Sequence, residues 1–162
     1  MFKVADILRE KDTRIITVRL RETVATAAML MKRENIGALV VKDVCRTEGN
    51  VVVGVFSERD VVQAIATHGS AALEMPVSKL LARPLTACSQ HDTIDAVAGL
   101  MTEHQVRLLP VLDEHTLVGV ISISDLIRHL PEGEAGRSVQ PLMRATAPSR
   151  GEAALARTRH AA

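Results

Sequence analysis

Two heptapeptides carry the residue types from which a ligand site could be built. They are GVFSERD at residues 54–60 and GVISISD at residues 119–125, and both follow the pattern Gly-Val-x-Ser-x-x-Asp. A serine followed three residues later by an acidic residue, ahead of an apolar helical pattern, is close to a capping box. The same geometry suits a nucleotide, because a helix N-terminus attracts phosphate and a carboxylate can accept the ribose hydroxyls. The glycines would let a ligand approach the backbone. Helix cap and ligand site are therefore both open.

The heptapeptides belong to a longer internal repeat. TVATAAMLMKRENIGALVV at residues 23–41 aligns without a gap with TIDAVAGLMTEHQVRLLPV at residues 93–111, and the opener VADIL at residues 4–8 parallels VSKLL at residues 77–81. Three signals predict the order β-α-β-β-α in each copy. They are apolar residues at helical spacing after Thr23 and Thr93, strand-like aliphatic runs, and helical patterns that begin at the heptapeptide serines.

This order predicts an α/β (α+β) fold made of two similar halves that share a core, because a unit of about 60 residues is marginal alone. We predict repeat 1 over residues 1–70, repeat 2 over residues 71–130, and a largely mobile tail over residues 131–162 that is rich in Pro, Gly, Ala and Arg. Within the tail, residues 139–144 echo the openers, which we interpret as chance similarity.

Composition excludes several classes of partner. The 162 residues carry a net charge of +1 and contain no Trp, no Tyr and only two Phe, so a nucleic-acid strand would find neither a basic surface nor a stacking platform. The N-terminus is charged where a signal peptide is apolar, and no segment is long and apolar enough to span a membrane. Two isolated cysteines fit a reducing compartment. We predict a cytoplasmic protein with no nucleic-acid or membrane partner.

Catalytic and metal-binding motifs are not evident. The six histidines form no HxxxH pattern, and Cys88 has no identifiable base, so it is interpreted as a buried, inert thiol. Ser122 and Ser124 do not form the GxSxG pattern of a nucleophile elbow. The sequence therefore predicts no catalytic residue and no metal site.

The ordered, duplicated set of GVFSERD, GVISISD, RLLPV at residues 107–111 and the two openers resembles the cystathionine β-synthase (CBS) domain pair, and in particular the small free-standing bacterial proteins of that family. The resemblance implies a Bateman-type module with pseudo-twofold symmetry, whose clefts bind adenosine-containing ligands such as AMP, ADP, ATP, NAD or S-adenosylmethionine. It also implies homodimers formed by helix packing, for which the helices beginning at Thr23 and Thr93 offer suitable faces.

The resemblance also implies roles for individual residues. Asp60 and Asp125 would hold ribose, and Ser57 and Ser122 would supply hydroxyl groups. The remaining implied ligand-binding residues are Ile16, Thr17, Gly37, Ala38, Arg59, Arg107, Leu108, Pro110 and Ser124. The copies differ, because repeat 1 lacks the basic residue and the proline of RLLPV, and repeat 2 has Ser124 in place of Arg59. We therefore expect inequivalent clefts, with the tighter AMP site at Asp60.

Two functions remain open. The first is a non-catalytic regulatory module that senses an adenine nucleotide, with AMP preferred over NAD(H) or ATP, no obligatory cofactor, and an unidentified regulated protein as its partner. The alternative is a dimerising interaction scaffold whose heptapeptides serve only as helix caps. An enzyme ranks third, because no general acid/base pair or activated nucleophile can be assembled from the motifs.

Overall fold

The structure, a computed structural model, describes residues 1–12, 14–45, 49–81 and 84–129. The predicted tail at residues 131–162, including the opener-like segment at 139–144, lies outside the described residues. The elements in chain order are α1 (Val4–Glu10), β1 (Thr17–Arg19), α2 (Val24–Glu34), β2 (Ala38–Cys45), β3 (Gly49–Ser57), α3 (Glu58–His68), β4 (Cys88–Ser89), α4 (Ile94–His104), β5 (Leu108–Asp113), β6 (Thr116–Ser122) and α5 (Ile123–His129), with short 3₁₀ helices at Gly69–Glu74 and Val77–Lys79.

The described strands form two three-stranded sheets of the same topology, β1-β2-β3 and β4-β5-β6. In each sheet the first strand is parallel to the second, and the second is antiparallel to the third. A parallel pair needs a crossover connection, and α2 and α4 supply it. The predicted β-α-β-β-α order is therefore confirmed in both repeats, and with it the mixed α/β fold class.

The crossover helices begin and end at equivalent positions. Thr23 and Thr93 cap α2 and α4 by accepting the N–H of the residue three positions on, at 3.2 and 3.3 Å. Asn35 and Gln105 end the helices in the left-handed conformation, which stops the helix and turns the chain toward the next strand. These local signals bring β2 and β5 back beside the strands that precede the helices.

The opener of each repeat is buried in the hydrophobic core of the other repeat. Val4 and Ile7 of α1 are fully buried in the core that contains α4, β5 and β6. Val77, in the second opener, is buried in the core that contains α2, β2 and β3. The two repeats are therefore tied together by an exchange of their opening segments.

The first glycine of each heptapeptide makes room for the exchanged opener. A Cβ atom on Gly119 would lie 2.7 Å from Leu8 Cδ2, and one on Gly54 would lie 2.9 Å from Leu81 Cδ2. The expectation that these glycines admit a ligand is wrong, because a leucine side chain of the exchanged opener occupies the space.

None of the helices in the described ranges is long and apolar enough to cross a membrane.

Candidate functional site

A cleft of about 1040 Å³ lies between the two repeats. Small-molecule sites are typically concave and about 300–1,000 Å³ in volume, so the cleft is large enough for a nucleotide. Repeat 1 contributes its heptapeptide turn and the start of β2, and repeat 2 contributes the end of α4, the start of β5 and the turn before α5. The lining residues are Gly37, Ala38, Val55, Ser57, Glu58, Arg59, Asp60, Pro84, Thr86, Glu103, His104, Gln105, Val106, Arg107, Leu108, Ser122, Ile123, Ser124 and Ile127.

Backbone hydrogen bonds hold the start of each middle strand against a heptapeptide turn. The N–H of Glu58 donates to the Gly37 carbonyl at 3.0 Å, and the N–H of Ile123 donates to the Arg107 carbonyl at 3.0 Å. In repeat 1, this hydrogen bond holds the start of β2 beside the turn that carries Asp60.

Both heptapeptides form the capping geometry. Asp60 Oδ2 accepts the Ser57 N–H at 2.8 Å and the Ser57 hydroxyl at 2.9 Å, and the Asp60 N–H donates to Ser57 Oγ at 3.3 Å. The corresponding distances between Ser122 and Asp125 are 2.8, 2.7 and 3.4 Å. The helix-cap interpretation is therefore confirmed in both copies.

The cap leaves part of Asp60 available to a ligand. All of its side-chain hydrogen bonds among the described residues involve Oδ2, so Oδ1 is open to a hydroxyl donor in the cleft. The Ser57 hydroxyl proton points to Asp60 and is committed to the cap. A ligand would therefore meet the carboxylate, not the serine hydroxyl, as the principal polar group of this turn.

Asp125 has a different environment. Its side chain is 8% exposed, and Lys11 Nζ lies 2.7 Å from Oδ2. Lys11 Nζ also donates to the Val120 carbonyl at 3.3 Å. Burial alone would raise the pKa of Asp125, but the hydrogen bonds from Lys11 and Ser122 and the lysine charge outweigh it and hold that pKa below its ordinary value.

Charges of both signs line the cleft. Arg59 and Arg107 are exposed basic side chains on opposite repeats, and Glu58 and Glu103 are exposed acidic ones. Arg59 lies in the first turn of α3, whose positive N-terminal end adds to its charge. The cleft can therefore hold an anion of low charge near Arg59 and Arg107.

The cleft brings together nine of the thirteen sequence-predicted ligand residues: Gly37, Ala38, Ser57, Arg59, Asp60, Arg107, Leu108, Ser122 and Ser124. Four others do not line it. Ile16 packs against the core of repeat 1, and Thr17 borders a separate small depression beside Arg19 and Lys42. Pro110 is buried within β5, and Asp125 is paired with Lys11.

Sequence reasoning missed the contribution of the end of α4. Glu103, His104 and Gln105 line the cleft, together with Pro84 and Thr86 of the connection into β4. None of these residues belongs to a recurrent motif. The available signal was the gap-free repeat alignment, which places residues 103–105 directly before the pocket-facing Arg107.

No metal centre is found in the part of the chain that the structure describes, and the thiol of Cys88 is not reactive. No three His, Cys, Asp or Glu side chains there are close enough to hold a metal ion. Cys88 is buried and unpaired, and its desolvation, followed by the nearby charge of Asp92, raises its thiol pKa to about 12. Because the thiolate is the nucleophilic form, this cysteine is inert near neutral pH.

The chain is similar to known proteins over most of its length. The CBS domain family matches residues 4–67 and 77–132. The chain belongs to the CBS domain family. CBS-domain protein YhcV of Bacillus subtilis is 30% identical to it over 126 residues, which cover 78% of this chain and 86% of YhcV.

Solved structures of CBS proteins share the fold. The CBS-domain protein ATU1752 from Agrobacterium tumefaciens is 35% identical with a TM-score of 0.71, and the match covers 78% of this chain and 91% of ATU1752. The CBS domain pair of protein MJ0100, solved in complex with 5-methylthioadenosine and S-adenosyl-L-methionine, is 22% identical with a TM-score of 0.66. That match covers 79% of this chain and 94% of the MJ0100 pair, and at this identity it shows the fold alone. CBS domain pairs are generally non-catalytic regulatory modules and commonly bind nucleotides.

Proposed function

We propose that this CBS pair is a non-catalytic regulatory module that binds an adenine nucleotide in the cleft between its repeats, with AMP preferred over NAD(H) and ATP. The observation that carries the proposal is the position of Asp60. Its carboxylate lies on the cleft wall, at the start of an 11-residue helix, with one oxygen outside the cap hydrogen bonds. A carboxylate in that position suits the paired hydroxyls of a ribose.

The neighbours of Asp60 indicate where the adenine and the phosphate would lie. Adenine would lie against the backbone at Gly37 and Ala38, which borders the same cleft. The phosphate would lie between Arg59 and Arg107, where a charge-assisted hydrogen bond to guanidinium is stronger than a neutral one.

The charge balance favours a monophosphate. A single phosphate group carries about −1.5 to −2 charges near neutral pH, which the two arginines can neutralise. A triphosphate would bring further negative charge toward Glu58 and Glu103 on the same walls, and like charges that are close together repel. This argument supports AMP as the first ligand to test.

Adenosine is also the group shared by the two ligands of the MJ0100 pair. Both carry the adenine and ribose that Asp60 and the start of β2 would recognise. A screen should therefore include 5-methylthioadenosine and S-adenosylmethionine beside AMP, ATP, NAD and NADH, with guanosine nucleotides as the control for base recognition.

Calorimetric titration tests the proposal. AMP has about 23 non-hydrogen atoms, and roughly −0.3 kcal/mol per atom gives about −7 kcal/mol, or a dissociation constant near 10 μM. Asp60→Ala should weaken binding roughly 10- to 150-fold, because a hydrogen bond to a charged group contributes about 1.5–3 kcal/mol. Asp113→Ala, at the exposed end of β5, removes an aspartate outside the cleft and should leave the affinity unchanged.

The alternative is an interaction scaffold, which the same titration distinguishes. Loss of the Asp60 cap should lower the free energy of unfolding by about 1 kcal/mol whatever the function. If no adenosine compound binds, and if Asp60→Ala changes only this stability, the heptapeptides are helix caps and the scaffold is the better assignment.

We also propose that the protein acts as a cytoplasmic homodimer whose subunits meet through repeat 1. Large apolar side chains that are more than a third exposed cluster on α2, α3 and the following 3₁₀ helix, which pack against one another: Met29, Val62, Ile65 and Leu73. The described residues of α4 contribute none to this group, although the sequence also favoured that helix. Contiguous apolar surface of this kind is typical of protein interfaces.

A further inference from the structure

The two heptapeptides have the same internal geometry but different external partners. Within each cap, the matching serine–aspartate distances differ by 0.2 Å or less. Lys11 Nζ adds a third donor to Asp125 Oδ2. No cation among the described residues pairs with Asp60. The difference between the two sites therefore arises outside the repeated motif.

Lys11 is held in position by the exchange of openers. It directly follows α1 and caps that helix by donating its N–H to the Ile7 carbonyl at 3.1 Å. Val4 and Ile7 anchor the helix in the core of repeat 2. Glu10 approaches His129 of α5 at 3.1 Å. The lysine is therefore fixed against the heptapeptide of repeat 2 by three separate sets of contacts.

A second ion pair joins the connection after α1 to repeat 1. Arg14, in the same connection as Lys11, contacts Glu34 of α2 at 3.0 Å, and Glu34 is 12% exposed. The repeat alignment pairs Glu34 with His104, which lines the open cleft. The equivalent of one residue in the wall of the open cleft is thus engaged in an ion pair with the connection that carries Lys11.

We propose that Lys11 is a specificity-determining residue that closes the Asp125 half to ribose and restricts the chain to one nucleotide, at Asp60. The inference rests on the proposed function, because it concerns which of the two heptapeptide aspartates binds the adenine nucleotide. Asp125 Oδ2 already accepts three hydrogen bonds, and the side chain is 8% exposed where it packs against the Lys11 ammonium group. A ribose hydroxyl could reach this carboxylate only if the lysine side chain moved away, which would break a charge-assisted hydrogen bond.

Titration with AMP, and separately with S-adenosylmethionine, tests the role of Lys11 on the full chain. The wild-type protein should bind one equivalent per chain. Lys11→Ala should bind a second equivalent, because removal of the lysine side chain exposes the Asp125 carboxylate. Arg9→Ala is the matched control, since it removes a cation that is 79% exposed from the same helix, and it should retain one equivalent.

Asp125→Asn provides a test that does not depend on the folding of Lys11→Ala. It should change wild-type AMP affinity less than twofold, whereas Asp60→Asn should weaken it roughly tenfold or more. Three outcomes would each overturn the role of Lys11 alone. They are two bound equivalents of AMP in the wild type, one bound equivalent in a folded Lys11→Ala, and an equal loss of AMP affinity in the two asparagine variants. Failure of every adenosine compound to bind any variant would contradict the proposed function itself.

Discussion

Asp60 and Asp125 occupy the same position in two copies of one heptapeptide, yet their side chains have different tasks. Each caps a helix through the preceding serine. Asp60 also borders the cleft, whereas Asp125 is buried against Lys11. At the residue scale, the two copies are therefore distinguished by a lysine that is 114 positions away in the sequence from the aspartate it contacts.

The Lys11–Asp125 pair should make stability depend on pH. Because the folded-state pKa of Asp125 is lowered, the pair stabilises the protein fully above the unfolded-state pKa of about 3.9 and loses its effect as the pH falls through the lower folded-state pKa. Lys11→Met should therefore lower the free energy of unfolding by roughly 2–3 kcal/mol at pH 7, somewhat less than for a fully buried pair, because Lys11 is 28% exposed.

Urea unfolding of wild type and Lys11→Met at pH 7 and near pH 3 measures this effect. The difference in the free energy of unfolding between the two proteins should be smaller in acid, since the wild type loses a contribution that the variant already lacks. Arg9→Ala removes only an exposed pair at 3.6 Å and should cost less than about 1 kcal/mol. A difference that stays constant with pH would show that Lys11 acts by packing and not by charge.

At the scale of elements, the exchanged openers determine what the heptapeptide glycines can tolerate. Leu8 of α1 packs over Gly119 on β6, and Leu81 packs over Gly54 on β3. Both glycines are buried. The strands and the openers thus fit each other closely, and an added methyl group has to move a leucine.

Gly119→Ala should lower the free energy of unfolding by about 1–3 kcal/mol, the usual range for overpacking a core. In a Leu8→Ala background the same substitution should cost much less, because the opposing Cδ2 atom is gone. Thermal or urea unfolding of the two single variants and the double variant gives the coupling energy. Additive effects would mean that Gly119 is required for another reason.

Gly99→Ala serves as the control for the cost of a methyl group. Gly99 lies in the exposed face of α4, and a Cβ atom there would meet nothing within 4 Å. Since glycine within a helix is less favourable than alanine by roughly 0.5–1 kcal/mol, this substitution should raise stability.

The elements themselves were predictable from the sequence because their signals are local. Thr23, Thr93, Ser57 and Ser122 cap the helices that they were predicted to open. The exchange was not predictable, because both openers carry the same apolar pattern and nothing in it says which core they enter. For the same reason, two heptapeptides that share Gly, Val, Ser and Asp at the same positions could not reveal that, of the two aspartates, only Asp60 faces the cleft.

At the scale of the whole molecule, the exposed apolar surface is concentrated on repeat 1. Met29 and Val62 are each 65% exposed, on neighbouring helices. A symmetric dimer would bury this surface.

Val62→Lys should shift the protein toward the monomer, because burying a lysine without a partner at an apolar interface is unfavourable. Sedimentation equilibrium of the wild type should give a mass near twice 17.5 kDa, and the variant should approach the single value. Val44→Lys is the control, since Val44 is 56% exposed on β2, away from these helices. A wild-type monomer at micromolar concentration would contradict the proposed dimer.

The exchange of openers also imposes an order on biosynthesis. Among the described elements, α1 leaves the ribosome first, but its partners come late, since Glu10 contacts His129 across 119 positions and Lys11 contacts Asp125 across 114. The core of repeat 1 can close once Val77 and Leu81 have emerged. The core of repeat 2 must wait for α5 and for the return of α1, and such distant contacts fold slowly. A nascent chain would therefore hold a completed first repeat while the apolar side chains of Val4 and Ile7 in α1 stay exposed until the last described residues are made.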